Sequence, residues 1–127
     1  MDTVQTHQDY LNGDQIYSCS DCHAHLGRNV DIISKGFRGR HGPAYLFNKV
    51  FNITLGKTEE RNLMTGLHTV ADITCTICQS VVGWIYASTS PSLHSLHAFE
   101  ESQKYKEGKY VVEAAKITKE NLWIQKE

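Results

Sequence analysis

Short segments rich in β-branched and aromatic residues make up most of the hydrophobic pattern, and they predict strands rather than helices. Segment 67–75 is the clearest case, because its side chains alternate with a period of two. The pattern indicates a mainly β fold of about six or seven short strands with little helix. The predicted strands are residues 16–19, 44–54, 61–64, 67–75, 80–87 and 109–118.

Glycine, proline and polar residues separate these strands and predict the connections between them. Residues 35–43 contain three glycines and a proline and are expected to form a loop, and residues 55–60 a turn. Thr65-Gly66 predicts a break between two strands, the serine-rich residues 88–96 a loop, and residues 98–106 irregular helical turns. We expect a flexible N-terminal lead-in at residues 1–14, one domain at residues 15–118 and a polar C-terminal tail at residues 119–127.

The four cysteines form two CxxC pairs with 52 residues between them. A CxxC turn directs both sulfurs to one side, and two such turns supply the four thiolates of a tetrahedral structural zinc site. Disulfides are typical of secreted proteins and a redox CxxC of a βαβ unit, so both alternatives are disfavoured. We predict one structural Zn²⁺ ion held by Cys19, Cys22, Cys75 and Cys78, with backbone N–H groups of residues 21–24 and 76–80 donating to the sulfurs.

The charge balance and the ends of the chain exclude several classes of function. The first residues lack the basic and apolar stretches of a secretory signal, and no stretch approaches eighteen apolar residues, so we expect reduced thiols and no membrane span. The formal net charge is -1 with neutral thiols. Four thiolates and one zinc ion together carry -2, which brings the zinc-bound chain to about -3. Without a basic surplus, whole-molecule attraction to nucleic acid or an anionic membrane is not expected.

Several residues stand at characteristic intervals after the first knuckle, among them Gly42, Asn52, Gly66 and the block Gly83-Trp84-Ile85-Tyr86. These intervals give the chain a resemblance to the Yippee family, which extends from residue 17 to residue 113. The blocks AYLFN, TGLH and YKEGKYVVE also resemble Yippee sequences. The chain differs from the Yippee pattern between Tyr86 and the HAFE segment. Yippee proteins have a single residue there, whereas this chain has residues 87–96, which is an apparent insertion of nine residues at about 88–96. The matching positions are Cys22, Gly42, Leu46, Asn52, Gly66, Cys75, Cys78 and Gly83-Trp84-Ile85-Tyr86.

This resemblance implies a β-tent fold, in which two antiparallel sheets lean together and a four-cysteine zinc site joins them at the apex. Yippee domains are similar to Mis18, to the thalidomide-binding domain of cereblon and to type B methionine sulfoxide reductases. The order of knuckles and strands along this chain agrees with that arrangement.

The residues and the resemblance together predict that the domain is not an enzyme. A type B reductase needs a nucleophilic cysteine besides its zinc ligands, and this chain has no fifth cysteine. Four thiolates also leave no open zinc position for a catalytic water. His23 or His25 could replace one thiolate, but four cysteines suffice, and both histidines are better explained as neighbours of the first knuckle.

The Yippee resemblance further implies a protein-interaction module, a regulator or adaptor in cell-cycle and growth control in the nucleus and cytoplasm of eukaryotes. Some members are linked to a multisubunit ubiquitin ligase, so its subunits are among the expected partners. Protein partners are expected in preference to nucleic acid, and a membrane partner is not expected.

An aromatic pocket is the expected interaction site. Trp84 and Tyr86 are two residues apart, so on a strand they share one face. In cereblon-like relatives the matching positions belong to a cage for a small cyclic imide, which makes a small-ligand-binding domain an alternative function. Residues 63–68, expected to supply the other walls, lack tryptophan, and the two aromatic residues are slightly better explained as core. The predicted pocket residues are Leu63, Met64, His68, Trp84 and Tyr86.

A basic cluster in residues 35–40 gives a second alternative, a nuclear nucleic-acid-binding protein. Lys35, Arg38 and Arg40, followed by His41, could contact phosphates while Phe37 stacks on a base. Three full charges make a weak patch in a protein of negative net charge, so a solvated loop is the better explanation.

Overall fold

The computed structural model describes residues 15–87 and 106–121, and within these ranges nine strands form two antiparallel sheets. The smaller sheet has the order β2-β1-β9, with β1 at Gln15–Cys19, β2 at His25–Arg28 and β9 at Ile117–Asn121. The larger sheet has the order β3-β4-β8-β7-β6-β5. Its strands are β3 (Ile32–Gly39), β4 (Gly42–Phe47), β5 (Ile53–Leu63), β6 (Gly66–Cys75), β7 (Val81–Tyr86) and β8 (Tyr110–Glu113).

Two 3-10 helices carry the chain between the sheets. Asn29–Asp31 leads from β2 of the smaller sheet to β3 of the larger one, and Ala114–Lys116 leads from β8 back to β9. This arrangement of two antiparallel sheets confirms the predicted mainly β fold of the β-tent type. The predicted strands at residues 16–19, 67–75 and 80–87 correspond to β1, β6 and β7.

The loop predicted at residues 35–43 is wrong, because these residues form most of the β3–β4 hairpin. Phe37 pairs with Ala44 and Gly39 with Gly42, and two irregularities in the register adapt β3 to its partner. Only the turn itself uses glycine's special freedom, since Gly42 has a φ of 113°. Pairing with β4 therefore outweighs the weak strand preference of the glycines.

The single strand predicted at residues 44–54 is also wrong, because β4 ends at Phe47 and β5 begins at Ile53. Asn52 lies between them with a φ of 57°, a left-handed conformation that cannot continue a strand. Its side-chain Nδ2 donates to the carbonyl oxygen of His25 at 2.7 Å, which links this break to the start of β2.

The turn predicted at residues 55–60 lies instead inside β5, the edge strand of the larger sheet. Residues 54–60 are all exposed, so no buried face imposes an alternation that could reveal the strand. A bulge between Leu55 and Thr58 and the charged side chains of this segment are typical of a protected sheet edge. The predicted break at Thr65-Gly66 is present, and Gly66 has a φ of 120°.

The single strand predicted at residues 109–118 is divided by the second 3-10 helix, so its two halves belong to different sheets. β9 also continues to Asn121, so residues 119–121 pair with β1 and do not belong to the predicted polar tail. The predictions for residues 1–14, 88–96 and 122–127, and for all of 98–106 except Lys106, lie outside the described residues.

Two hydrophobic clusters lie on opposite faces of the larger sheet. The first lies between the two sheets, where the ring of Tyr17 meets the edges of Phe47 and Tyr45 at centroid distances of 5.9 Å each. The second lies on the other face, because neighbours along β8, Val111 and Val112, belong to different clusters. The buried members of this second cluster are Ala44, Leu46, Val70, Trp84, Tyr86 and Val111.

Candidate metal centre and aromatic pocket

The first CxxC knuckle connects β1 to β2 and closes on itself through backbone hydrogen bonds. Cys19 ends β1, and its N–H donates to the carbonyl oxygen of Ala24 at 2.8 Å. The N–H of His23 donates to the carbonyl oxygen of Cys19 at 2.8 Å, and His23 has a φ of 67°. This left-handed residue turns the chain back so that Cys22 faces the same side as Cys19.

The second knuckle repeats the first in the larger sheet, position for position. Cys75 ends β6, its N–H donates to the carbonyl oxygen of Ser80, and its carbonyl oxygen accepts from Gln79, both at 2.8 Å. Gln79 has a φ of 70°, which matches the left-handed position of the first knuckle. Two equivalent turns thus present two cysteines each, one pair from each sheet.

The four sulfur atoms come together as the spacing predicted. Cys19 Sγ lies 3.5 Å from Cys78 Sγ, Cys22 Sγ lies 3.5 Å from Cys75 Sγ, and all four lie within 4.8 Å of one another. These distances are too long for a disulfide, whose S–S bond is about 2.05 Å. Four sulfurs placed about 2.3 Å from one zinc ion would be about 3.8 Å apart, so the cluster has the size of a tetrahedral zinc site.

The surroundings of the sulfurs explain why this donor set suits a cation. Burial raises the pKa of Cys19 and raises that of Cys22 to about 12, although N–H groups of the first knuckle lower both. Burial also raises the pKa of Cys78, but the hydroxyl and N–H of Ser80 outweigh it and lower the pKa to about 7. Four thiolates this close would repel one another, so the raised pKa values of Cys19 and Cys22 keep these two thiols protonated until a divalent cation binds and stabilises the thiolate forms.

Side chains outside the two CxxC pairs tie the knuckles together, and the sequence analysis did not identify them. The Ser80 hydroxyl donates to Asp21 Oδ2 at 2.5 Å and lies 3.4 Å from Cys78 Sγ. Asn52 accepts a backbone hydrogen bond from Thr76 at 2.8 Å and donates to His25, so it bridges the two knuckles. The matched position of Asn52 in the Yippee pattern is the one sequence signal of this role.

The predicted pocket residues lie on the face of the larger sheet that points away from the sulfurs. The ring centroid of Tyr86 is 6.3 Å from that of Trp84 and 5.2 Å from that of His68, both in edge contacts. Leu63 packs against the same cluster, and Met64 is 90% exposed at the β5–β6 turn. Except for His68, these residues line a groove of about 1060 Å³.

Two residues that the sequence analysis did not place in the pocket complete it. Phe37 of β3 packs against the same cluster, on the same side as Trp84 and Tyr86. Lys106 is only 4% exposed, and its Nζ lies 5.2 Å from the Phe37 ring centroid and 5.3 Å from that of Tyr86. Trp84 and Tyr86 are themselves buried, at 8% and 4% exposure, so they are both core residues and pocket walls.

The basic residues of segment 35–40 do not form one surface. Lys35 Nζ lies 5.5 Å from the Tyr45 ring centroid, on the side of the first cluster, whereas Phe37 packs on the second. At the tip of the hairpin, Glu113 accepts from the Arg40 N–H at 2.8 Å and lies 2.7 Å from His41 Nδ1. Lys106 lies over one face of the Phe37 ring, so that face is not available to stack on a nucleic-acid base.

Comparison with known proteins gives concordant results. A family model described as Yippee zinc-binding/DNA-binding and Mis18, centromere assembly, matches residues 15–127. The chain is 51% identical over 120 residues to a yippee-like protein of Caenorhabditis elegans, which covers 94% of this chain and 81% of the relative. It is 50% identical over 107 residues to yippee-like 4 of Rattus norvegicus and of Mus musculus, which covers 84% of this chain and 77% of each relative.

A solved structure shares the fold at much lower identity. The crystal structure of the Mis18 'Yippee-like' domain matches with a TM-score of 0.59 and 14% identity, over 85% of this chain and 96% of that chain. Among residues 15–87 and 106–121, we find no helix with the length and apolar character needed to cross a membrane.

Proposed function

This chain belongs to the Yippee–Mis18 family of zinc-binding proteins, and from that premise we propose that it is a non-catalytic domain that binds protein partners. The observation that carries the proposal is the separation of its two sites. The cysteine cluster lies at the junction of the two sheets, while the aromatic residues of the groove belong to the hydrophobic cluster on the opposite face of the larger sheet. The groove reaches the metal side only at its end, where Ser80 lies beside Cys78. The metal therefore supports the fold, and recognition is left to the other face.

The composition of the cysteine cluster supports a structural role for the zinc ion. All four cysteines of the chain belong to the cluster, so they fill a tetrahedral coordination shell and leave no thiol as a separate nucleophile. The ion would cross-link β1–β2 to β6–β7 and neutralise thiolate charge. Without an open coordination position, the site has no place for a substrate or an activated water.

The rim of the groove supports a protein partner. Met64, at 90% exposure, and Val81, at 49% exposure, both line the groove. Large exposed apolar side chains beside a concave aromatic surface are typical of protein-binding sites. We further propose, from the family resemblance, that this domain acts as a regulator or adaptor in cell-cycle and growth control in the nucleus and cytoplasm, with ubiquitin ligase subunits among its partners.

Nucleic-acid binding is the second candidate, because the family description includes DNA binding. Arg38, Arg40 and Lys116 line one side of the groove and could contact phosphates. The negative net charge and the covered face of the Phe37 ring weigh against this candidate. A small-ligand site of the cereblon type is the third, since the groove is large enough for a drug-sized molecule.

The test is a comparison of two charge insertions on exposed side chains. Met64→Glu places a carboxylate at the groove, and Val30→Glu makes the same change at a 79% exposed site in the 3-10 helix that follows β2. Both variants should keep the wild-type melting temperature, because neither side chain is buried. In affinity purification with quantitative mass spectrometry, the recovery of specific partners should fall about 10-fold or more with Met64→Glu, whereas Val30→Glu should recover the same partners at the wild-type level.

Other outcomes assign the groove differently. Equal recovery of all partners by the two variants would contradict the groove as the protein-binding site. Binding of a duplex DNA probe that falls with Arg38→Ala at physiological salt would favour the second candidate.

A further inference from the structure

Lys106 is a buried cation in an aromatic setting, and its position requires an explanation. A fully desolvated ammonium group is costly, and burial lowers the pKa of Lys106. Two ring faces compensate that cost, because Nζ lies 5.2 Å from the centroid of Phe37 and 5.3 Å from that of Tyr86. Nζ also donates to Thr65 Oγ1 at 3.3 Å.

The groups around this ammonium come from separate parts of the fold. Phe37 belongs to β3 at one edge of the larger sheet, Tyr86 to β7 in its interior, and Thr65 to the β5–β6 turn. Thr65 Oγ1 in turn lies 2.8 Å from His68 Nε2. A site assembled from three such elements recognises a cation through geometry that the sheet holds in place.

The pocket also contains a polar group without a hydrogen-bond partner among the described residues, the indole N–H of Trp84. Trp84 is 92% buried, since only 8% of it is exposed, and its indole Nε1 has no hydrogen-bond partner among the described residues. Trp84 lines the same groove as Lys106 and Tyr86. A buried N–H donor without an acceptor is unusual, so this wall of the groove carries a desolvated polar group beside the ammonium of Lys106.

We propose that this pocket is a receptor for an alkylammonium group, that Lys106 fills it in the free chain, and that a lysine side chain of a protein partner takes the place of Lys106. The proposal rests on the proposed function, because it assumes that this face binds protein. A partner lysine carries the alkylammonium group that the rings of Phe37 and Tyr86 already hold in the free chain. Lys106 then acts as an internal competitor. It weakens the binding of any ligand that does not replace all of its contacts with the two rings and the Thr65 hydroxyl.

The first experiment asks whether the pocket recognises the charge. Lys106→Ala removes three methylenes and the ammonium, and n-propylammonium chloride replaces those atoms. We expect Lys106→Ala to melt at a lower temperature and n-propylammonium to restore at least half of that loss. Propan-1-ol, a neutral molecule of the same size, should not restore it, and wild-type protein in matched ionic strength should show no shift.

A second variant keeps the test decisive if Lys106→Ala does not fold. Lys106→Met fills the same volume without a charge. If Lys106 were an ordinary buried lysine, the methionine would raise the melting temperature, because it removes a desolvated ammonium. If the rings form a cation site, Lys106→Met should instead lower it by roughly 3–6 °C.

The possible outcomes separate the two claims. Equal rescue by propan-1-ol, no rescue of a folded Lys106→Ala protein, or a stabilised Lys106→Met protein would each overturn the ammonium receptor, even if Met64→Glu loses its partners. Specific rescue together with unchanged partner recovery by Met64→Glu would keep the ammonium chemistry and overturn the exchange with a partner lysine. Specific rescue together with loss of partners supports both claims.

Discussion

The two faces of the six-stranded sheet bury different kinds of side chain. The face toward the smaller sheet buries aliphatic and aromatic groups around four sulfurs, and a second sheet covers it. The opposite face holds the ammonium of Lys106 against two aromatic rings, those of Phe37 and Tyr86, and opens into a groove. The first face concentrates stability in contacts that only a metal completes, whereas the second holds a charge in place through two rings and one hydroxyl group.

This comparison indicates how a domain of this size can reserve one face for recognition. A single core in a chain of 127 residues provides limited stabilisation. Structural zinc contributes about 10–16 kcal/mol of apparent binding free energy, which is comparable to the whole stability of a typical domain. We therefore expect the pocket face to tolerate substitutions that the metal face does not.

The largest effect should follow from breaking the metal face. Cys75→Ser leaves three thiolates at a site whose sulfur was fully buried, and a strong chelator removes the ion from the wild-type protein. Both treatments should abolish cooperative unfolding, because the lost zinc contribution of about 10–16 kcal/mol exceeds the stability that remains. Circular dichroism and thermal unfolding measure this, and metal analysis of the wild type should find one zinc ion per chain.

Met64→Ser is the matched control, since it introduces the same residue at an exposed position of the other face. It should melt within a few degrees of wild type. A folded Cys75→Ser protein with an unchanged melting temperature would show that the zinc ion does not support the fold.

An intermediate effect should follow from Gly83→Ala in β7, the strand that carries side chains to both faces. A Cβ at Gly83 would overlap the carbonyl oxygen of Val111, a backbone atom held in β8 by the pairing of the two strands. We expect a loss of about 3 kcal/mol in the free energy of unfolding, measured by denaturant titration, with the zinc site retained. Gly36→Ala in β3, where the nearest atom is Ser34 Oγ at 3.6 Å, should stay within about 1 kcal/mol of wild type. Equal losses in the two variants would contradict this steric explanation.

The smallest effect should be confined to the metal side. Ser80→Ala removes the hydroxyl that links Asp21 to the sulfur of Cys78, and it should weaken zinc binding about 10-fold in a competition titration with a chromophoric chelator. Ser20→Ala is the control in the first knuckle, where the hydroxyl contacts Thr118 instead of a sulfur ligand. That variant should bind zinc as the wild type does. If Ser20→Ala weakens zinc binding as much as Ser80→Ala, the sulfur contact is not the cause.

Local patterns predicted the parts of the molecule that depend on neighbouring residues. The two CxxC spacings predicted the metal ligands, because a knuckle is a turn of six residues closed by its own backbone. Alternation predicted β6, and the spacing of Trp84 and Tyr86 predicted their common face. The pattern did not reveal β5, since residues exposed on both faces carry no hydrophobic period.

The remaining features depend on which distant segments meet, and no local pattern specifies that. Phe37 stands in a glycine-rich segment typical of a loop, and it is a pocket wall because β3 pairs with β4 at the sheet edge. Lys106 is separated from Thr65 by 41 positions, yet its ammonium reaches the Thr65 hydroxyl. The CxxC spacing established two metal-binding knuckles and the alternation of side chains established a mainly β fold, because both follow from short-range geometry. The order of strands in the larger sheet decided that an aromatic cluster would enclose a cation, because that order brings residues from separate elements within contact distance.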